Sequence, residues 1–480
     1  MSPKTLLLCL LCCGGLFSLT AQTGTEITDP LVRWGALVDR QQIVGHYCIT
    51  ARPDEAQKIN IFTVTLYNTS LQPVGSKVYP ANEHLAVHDV AYNGVHLGVL
   101  LYGEKGELSR LDVLDGDAKT VASHPLSGQF PDADGTLFAT TDGFLAINSF
   151  PLIPGRFDVA RNYLVEKIVT EGDGPGWTRR FGIPNNSTHV NLAVDSEELE
   201  ASGDLILRLW YNKGSKVTNS LHFIDPATGG DRFVQSLPQT KAKRAAVYLA
   251  GGRAGDHYQL IRVNPEYLKR KVLMANTVDI LTYDPSGQLV AEKPISVRAT
   301  IAAELRRAGL PTLQPNTQFL YRTALIMPSG AFSLVAEPYT RVREGHAYDR
   351  PYVLAFDRDG QLLDFAAVDR EPVVVPFVAT DPLFMQQLRM HHGPFSHALS
   401  YTQEGDNYHY LLDREFRSGT VNYLGVNLLR FDGQQLHHEY IPLKEPNMAR
   451  LFPARAGYFG VLEPVFSENK IVPHLEKLNH

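Results

Sequence analysis

The sequence predicts an all-β protein built as a β-propeller, and three observations carry that prediction. A short turn returns between apolar runs: an aromatic or aliphatic residue, Asp, then Gly a few residues on. Its clearest copies are Ile224-Asp225-Pro226-Ala227-Thr228-Gly229, Tyr283-Asp284-Pro285-Ser286-Gly287, Phe356-Asp357-Arg358-Asp359-Gly360 and Phe431-Asp432-Gly433. A second turn, Gly placed directly before a strand-like run, lies between copies of the first. The two kinds alternate strictly along the chain.

The chemistry of the first turn is that of a β-hairpin. Asp at the opening corner accepts from the turn's own amides, and Gly reaches positive φ without a Cβ penalty. Earlier relatives are Tyr67-Asn68-Thr69-Ser70, Leu114-Asp115-Gly116-Asp117 and Glu171-Gly172-Asp173-Gly174. The second kind runs from Asn93-Gly94 through Asp142-Gly143, Ser202-Gly203, Ala254-Gly255, Ser329-Gly330 and Glu404-Gly405 to Ala456-Gly457. Two alternating hairpins define a unit of four short strands, about 50 to 75 residues long, which is the repeat length of propellers and solenoids. Seven such units of antiparallel strands predict a seven-bladed propeller, with six or eight blades as the alternatives. A solenoid needs shorter, more uniform repeats and capping units. Two β-sandwiches would not explain the strict alternation.

A ring must close. The first strands, near Trp34 to Leu37 and Ile43 to Thr50, and the last, near Ile471 to Leu475, are expected to pair within one shared blade, since an unpaired edge would face solvent. Two stretches interrupt the strand pattern. Near 299–309, Ile301, Ala302, Leu305 and Ala308 fall on one helical face that stops at Gly309. Near 381–392, Asp381-Pro382 provides an N-cap and first turn for a helix carrying Leu383, Phe384 and Leu388. Both are expected as insertions on a propeller rim.

Residues 1–21 read separately. Lys4, the apolar run Leu6 to Phe17 and the small residue Ala21 form a secretory signal cut after Ala21. The run is too short to span a bilayer, which needs about 20 apolar residues. Residues 22–480 are then one exported propeller domain, periplasmic or extracellular, with no membrane-spanning segment after cleavage. Of the 4 cysteines, Cys9, Cys12 and Cys13 lie in the signal, so Cys48 has no partner for a disulfide in the mature chain. Formal charge is −6, and loss of Lys4 makes it −7. An acidic chain argues against nucleic acid as a partner.

Few residues suggest chemistry. Gly330-Ala331-Phe332-Ser333-Leu334-Val335-Ala336-Glu337-Pro338 parallels Gly457-Tyr458-Phe459-Gly460-Val461-Leu462-Glu463-Pro464, so Glu337 and Glu463 are expected at equivalent depths in different blades. Facing one mouth of the ring, such carboxylates would suit glycoside cleavage; as strand-end charges they would only meet water. Trp177, Arg179 and Arg180 follow a Gly-rich loop. They would stack and grip a sugar acid, or cover a neighbouring blade. His391, His392 and His397 lie close in sequence, but no zinc-type spacing accompanies them, and no metal or other cofactor is expected. There is no GxSxG elbow or phosphate-cradling loop.

With its signal ending at Ala21-Gln22, its Asp/Gly hairpins and its Gly-aromatic strands, the chain resembles exported bacterial propeller-like proteins of unknown function. WD and kelch signatures are absent. The resemblance implies a fold and an address. The expected function is a non-catalytic binding or scaffold protein of the cell envelope with a protein or glycan ligand. The alternative is a carbohydrate-active hydrolase using carboxylates at the channel mouth.

Overall fold

The computed structural model describes residues 22–478 apart from short connections, the longest being 127–134, 152–160, 182–188, 196–204, 237–246 and 377–396. The signal segment 1–21 and the second expected helix, 381–392, lie outside the described residues. The protein is all-β. Among the described residues there are seven four-stranded sheets, one six-stranded sheet and one two-stranded hairpin. Blades 1 to 7 take residues 31–79, 85–125, 135–181, 189–236, 247–296, 318–367 and 397–442. Blade 8 takes 450–477 together with 22–23.

The chain ends do share a blade. Gln22–Thr23 pairs antiparallel with Lys470–Lys477, placing Gln22 opposite Leu475 and Thr23 opposite His474. Ile27 and Ile471 exchange two backbone hydrogen bonds of 2.8 Å. The expected participants were displaced, however: Leu31–Asp39 and Gln42–Asp54 open blade 1. A few residues suffice to cover the last edge, which releases the longer strands for a blade of their own.

This closure also explains why seven turns of each kind accompany eight sheets. The first turn of blade 1 contains no Gly; Arg40 and Gln41 carry it at φ 46° and 68°. The last turn of blade 8 does not exist, because the chain ends stand where it would be. All other units show both turns, apart from Glu171–Gly174 and Ser202–Gly203, which fall outside the described residues.

Asp does what its position requires. Asp284 Oδ1 accepts the amides of Ser286 and Gln288, each at 2.9 Å, and Asp357 Oδ1 accepts those of Asp359 at 2.9 Å and Gln361 at 2.8 Å. The Gly that follows has a second duty, since the outermost strand of the preceding blade presses on it. A Cβ on Gly287 would fall on the Phe233 ring, and one on Gly229 would lie 2.5 Å from Trp177 Cδ2.

Packing between blades is apolar and runs around the ring. Leu37, Tyr47 and Ile49 of blade 1 meet Val87, Val90 and Leu97 of blade 2. Leu221 and Phe223 of blade 4 meet Tyr258 and Leu260 of blade 5. Tyr410 and Leu412 of blade 7 meet Phe459 and Val461 of blade 8, and Trp34 and Leu71 of blade 1 meet Phe452 and Leu462. The first expected helix forms as α1 (Val297–Arg307), connecting blades 5 and 6. Its Val297, Ile301 and Leu305 join the core between those blades, whereas Ala308 is exposed. Leu310 N donates to Leu305 O at 2.8 Å and Gly309 N to Arg306 O at 3.2 Å, a Schellman ending around Gly309 at φ 66°.

Two stability outcomes follow. Gly287→Ala combines positive φ with a clash and is expected to cost about 2–4 kcal/mol, whereas Gly255→Ala, with nothing within 4 Å, should cost about 1–2 kcal/mol. Equal melting shifts for the two variants would refute the role given to Phe233. Replacing Arg40 by Asn and Gln41 by Gly should raise stability by about 1–2 kcal/mol, read as a higher urea midpoint.

Candidate functional site

Antiparallel blades sort their connections. Turns joining first to second and third to fourth strands share one rim, and all other links lie on the opposite rim. The first rim carries the Gly and Asp turns. Every described addition to the ring rises from the second: the hairpin Glu266–Leu268 with Lys271–Leu273, helix α1, and the pair Gly345–Tyr348 with Val373–Pro376. This second rim is called the long-connection rim below.

The innermost strands are not regular. Register slips by one residue at His88 in blade 2, Leu249 in blade 5, Arg322 in blade 6 and Ala398 in blade 7. Blade 1 has a similar slip at Val32. A β-bulge bends its strand and re-aims the extra side chain, here on the strands that surround the ring axis. His88 is exposed, with its ring edge-on to Tyr102 at 4.7 Å. Arg450, which opens the inner strand of blade 8, is exposed as well. Arg33, the third residue of the inner strand in blade 1, has 44% of its side chain exposed and pairs with buried Asp89. The Asp89 carboxylate also accepts the amides of Val90 and Leu137, each at 2.9 Å, so it joins the inner strands of blades 1, 2 and 3.

Glu337 is fully buried on Phe332–Arg341, and its Oε1 accepts the amide of His397 in blade 7 at 3.2 Å. Arg322 and Arg370 lie in its electrostatic field. Burial pulls the Arg322 pKa down, and Glu337 opposes that shift. Burial is also the main force raising the pKa of Tyr348, with smaller contributions from Tyr339 and Glu337. Glu463 is 22% exposed and lies 3.8 Å from His474 Nδ1, while His474 Nε2 lies 3.3 Å from Glu476. Glu337 shares its strand face with Ser333 and Val335, which pack toward blade 7; Glu463 shares its face with Val461, which packs toward blade 7 from the other side. The two carboxylates thus sit on faces of opposite sense.

Trp177 and Arg179 are engaged by blade 4. Trp177 Nε1 donates to Pro226 O at 2.7 Å, and Arg179 donates to Gly229 O at 2.9 Å. Arg179 also forms a two-pronged pair with Asp231 at 3.0 and 2.5 Å, its guanidinium 4.5 Å above the Phe181 ring. Arg180, on the same strand, is exposed. Trp177 and Arg179 thus contact the neighbouring blade.

Sequence reading missed a polar network between blades 6 and 7. His409 is sealed from solvent; its Nε2 lies 2.7 Å from Ser333 Oγ and its Nδ1 2.7 Å from Ser400 Oγ. Ser400 Oγ lies 2.8 Å from His397 Nε2, and Asn407 donates to Ser333 Oγ at 3.1 Å. The available signal was Ser333, a polar residue inside the apolar run Phe332 to Ala336. His391 and His392 lie outside the described residues, and no group of three possible metal-ligating side chains occurs among the described residues.

Fold and site together define a closed β-propeller with an elaborated rim and a bulged inner wall. No protein-family model matches the chain, and no curated protein does. Among solved structures it is similar to the polysaccharide lyase Uly1, at 10% identity and TM-score 0.43, over 82% of this chain and 90% of that one. A prolyl endopeptidase structure matches at 12% identity and TM-score 0.42, over 91% of this chain and 55% of that one, so this chain spans about half its length. The propeller domain of the Trilobed protease from Pyrococcus furiosus matches at 8% identity and TM-score 0.37, over 95% and 97%.

Burial holds two imidazoles neutral, pushing His409 down to about 3 and His46 to about 4; a hydrogen bond from His46 to Pro453 O resists the latter shift. Unfolded, both titrate near 6.5. As pH falls below about 6.5 the unfolded chain takes up protons that the native ring refuses, so stability present above that pH is lost toward 4 and 3. The melting temperature should drop across this window, and less steeply for His409→Gln. Parallel pH profiles for the two proteins would contradict the assignment.

Proposed function

We propose that this chain is an exported, non-catalytic binding propeller that holds its ligand at the long-connection rim and the axial mouth beneath it. One observation supports this most: all described elaborations gather on that rim, while the opposite rim is spent on turns that brace neighbouring blades. Loops carried on a rigid scaffold are where binding surfaces are commonly built. The bulged inner strands add side chains at the axis below them. The buried groups fit the same view. Ser333 and His409 are hydrogen-bonded like a nucleophile and its base, yet both are closed to any substrate. A glycosidase with paired carboxylates would need both on one cleft, and Glu337 and Glu463 occupy faces of opposite sense.

Export rests on the signal-like run ending at Ala21. N-terminal sequencing of the secreted protein should find Gln22 first. The binding reading is tested with the mature chain on a glycan array and against extracted envelope proteins. A variant with 266–273 replaced by a Gly-Ser linker should lose most of its affinity while melting within about 1–2 °C of wild type. Cleavage of any arrayed glycan by wild type would end the non-catalytic reading. Loss of affinity only on altering the tight-turn rim would place the ligand on the wrong side.

A further inference from the structure

We infer that the ligand is anionic, an acidic sugar chain received at the axial mouth of the long-connection rim; this rests on the binding reading above. The observation is how charge is divided along the inner strands. Toward the long-connection rim, or midway down, these strands carry Arg33, His88, Arg322, His397 and Arg450. The acids beside Arg33 and Arg322 are pulled back into the protein. Asp89 is buried behind Arg33, and Glu337, one strand further out, is buried near Arg322. Asp89 holds the Arg33 guanidinium from the rear, and Glu337 lies within electrostatic range of Arg322; neither carboxylate presents its own charge.

The opposite end of the wall is mixed: Asp39, Asp142 and Asp256 stand at or beside the tight turns there, with Arg40 next to Asp39, Lys167 paired with Asp142, and Arg253 turned back to donate to Gly255 O at 3.0 Å. The basic groups at the long-connection end stand against a formal charge of −6 for the whole chain. The Arg33 guanidinium, anchored by Asp89 and 44% exposed, offers a planar charged group that fits a carboxylate or sulfate better than a neutral hydroxyl. The net negative field disfavours a long, densely charged polymer such as nucleic acid. A sugar chain with one charge per residue can use the local basic mouth while most of its length stays away from the acidic surface. Carboxylated and sulfated sugars share the required chemistry.

The experiment uses the mature chain with oligogalacturonate, low-molecular-weight dextran sulfate and neutral dextran, each titrated calorimetrically at low and at physiological salt. At least one anionic probe should bind and neutral dextran should not, with affinity falling as salt rises. Arg450→Glu should weaken that binding about tenfold and Arg450→Gln by a smaller factor. Asp256→Lys, on the opposite rim, should leave it within about twofold. Both sites are exposed, and melting curves would confirm folding. Equal binding of neutral dextran would overturn the anionic assignment while leaving the binding reading intact. Breakdown of a bound anionic probe would do the reverse. Binding of poly-glutamate with neither sugar probe would replace the sugar by an acidic protein, and no binding at all would overturn the inference.

Discussion

Each blade has two apolar faces, and neither face can be left to water. That constraint governs the rest of the structure. A face such as that of Leu334, Ala336 and Phe356 is buried by blade 5 and α1, and the reverse face with Val335 and Val353 is buried by Leu411 and Leu429 of blade 7. No blade can satisfy both faces alone, so the row of sheets must return to its start. At the return, Gln22–Thr23 and the Ile27 bridge pair the start of the chain with its end, with the Lys470–Glu26 ion pair at 2.7 Å beside them. Most of the closing energy comes instead from Trp34, Leu71, Phe452 and Leu462, buried between blades 1 and 8. Cys48 is buried, with its thiol pKa pushed up to about 12, and adds no cross-link.

Closure divides the labour between rims. On the tight-turn side, Asp satisfies amides that would otherwise be unpaired, and Gly makes room for the neighbouring strand, so those sequences have little freedom to vary for another purpose. Polar groups between strands are equally committed. Lys167 is almost wholly buried and pairs with Asp142 and Thr140, and Arg262 holds Asp279 at 2.7 Å and Glu292 at 2.6 Å. Removing one partner of such a set leaves a buried charge, which is costly, so these networks fix register more than they add stability. The long-connection rim carries neither burden and is free to take insertions.

What the sequence revealed, and what it hid, follows from range. Turn chemistry is local, so the repeated Asp and Gly showed the architecture and the unit of four strands. The Gly309 ending of α1 was legible for the same reason. Arg40-Gln41 escaped because a turn with the same left-handed backbone was built without the residue that advertises it. The register slips at His88 and Arg322 leave no mark in composition, since a bulge is defined by its partner strand. Ser333, Asn407 and His409 are distant in sequence and meet only when blades 6 and 7 pack. Glu337 and Glu463 looked alike because their flanking residues are alike, but a single-residue difference in spacing from the turn Gly reverses the face in a strand of period two.

That same sensitivity connects the ring to its site. An inner strand without a bulge would continue its alternation, sending successive side chains into the cores on either side and leaving little at the axis. One extra residue interrupts the alternation and re-aims a side chain on the strands around the axis. Leu249 and Ala398 pack against the cores between blades, Arg322 lies half-buried in the field of Glu337, and His88 is exposed. An arginine with a buried carboxylate nearby loses little further freedom when a ligand arrives, so less of the interaction is consumed in ordering the side chain. The packing that forces the ring to close therefore also stiffens the groups that face its opening.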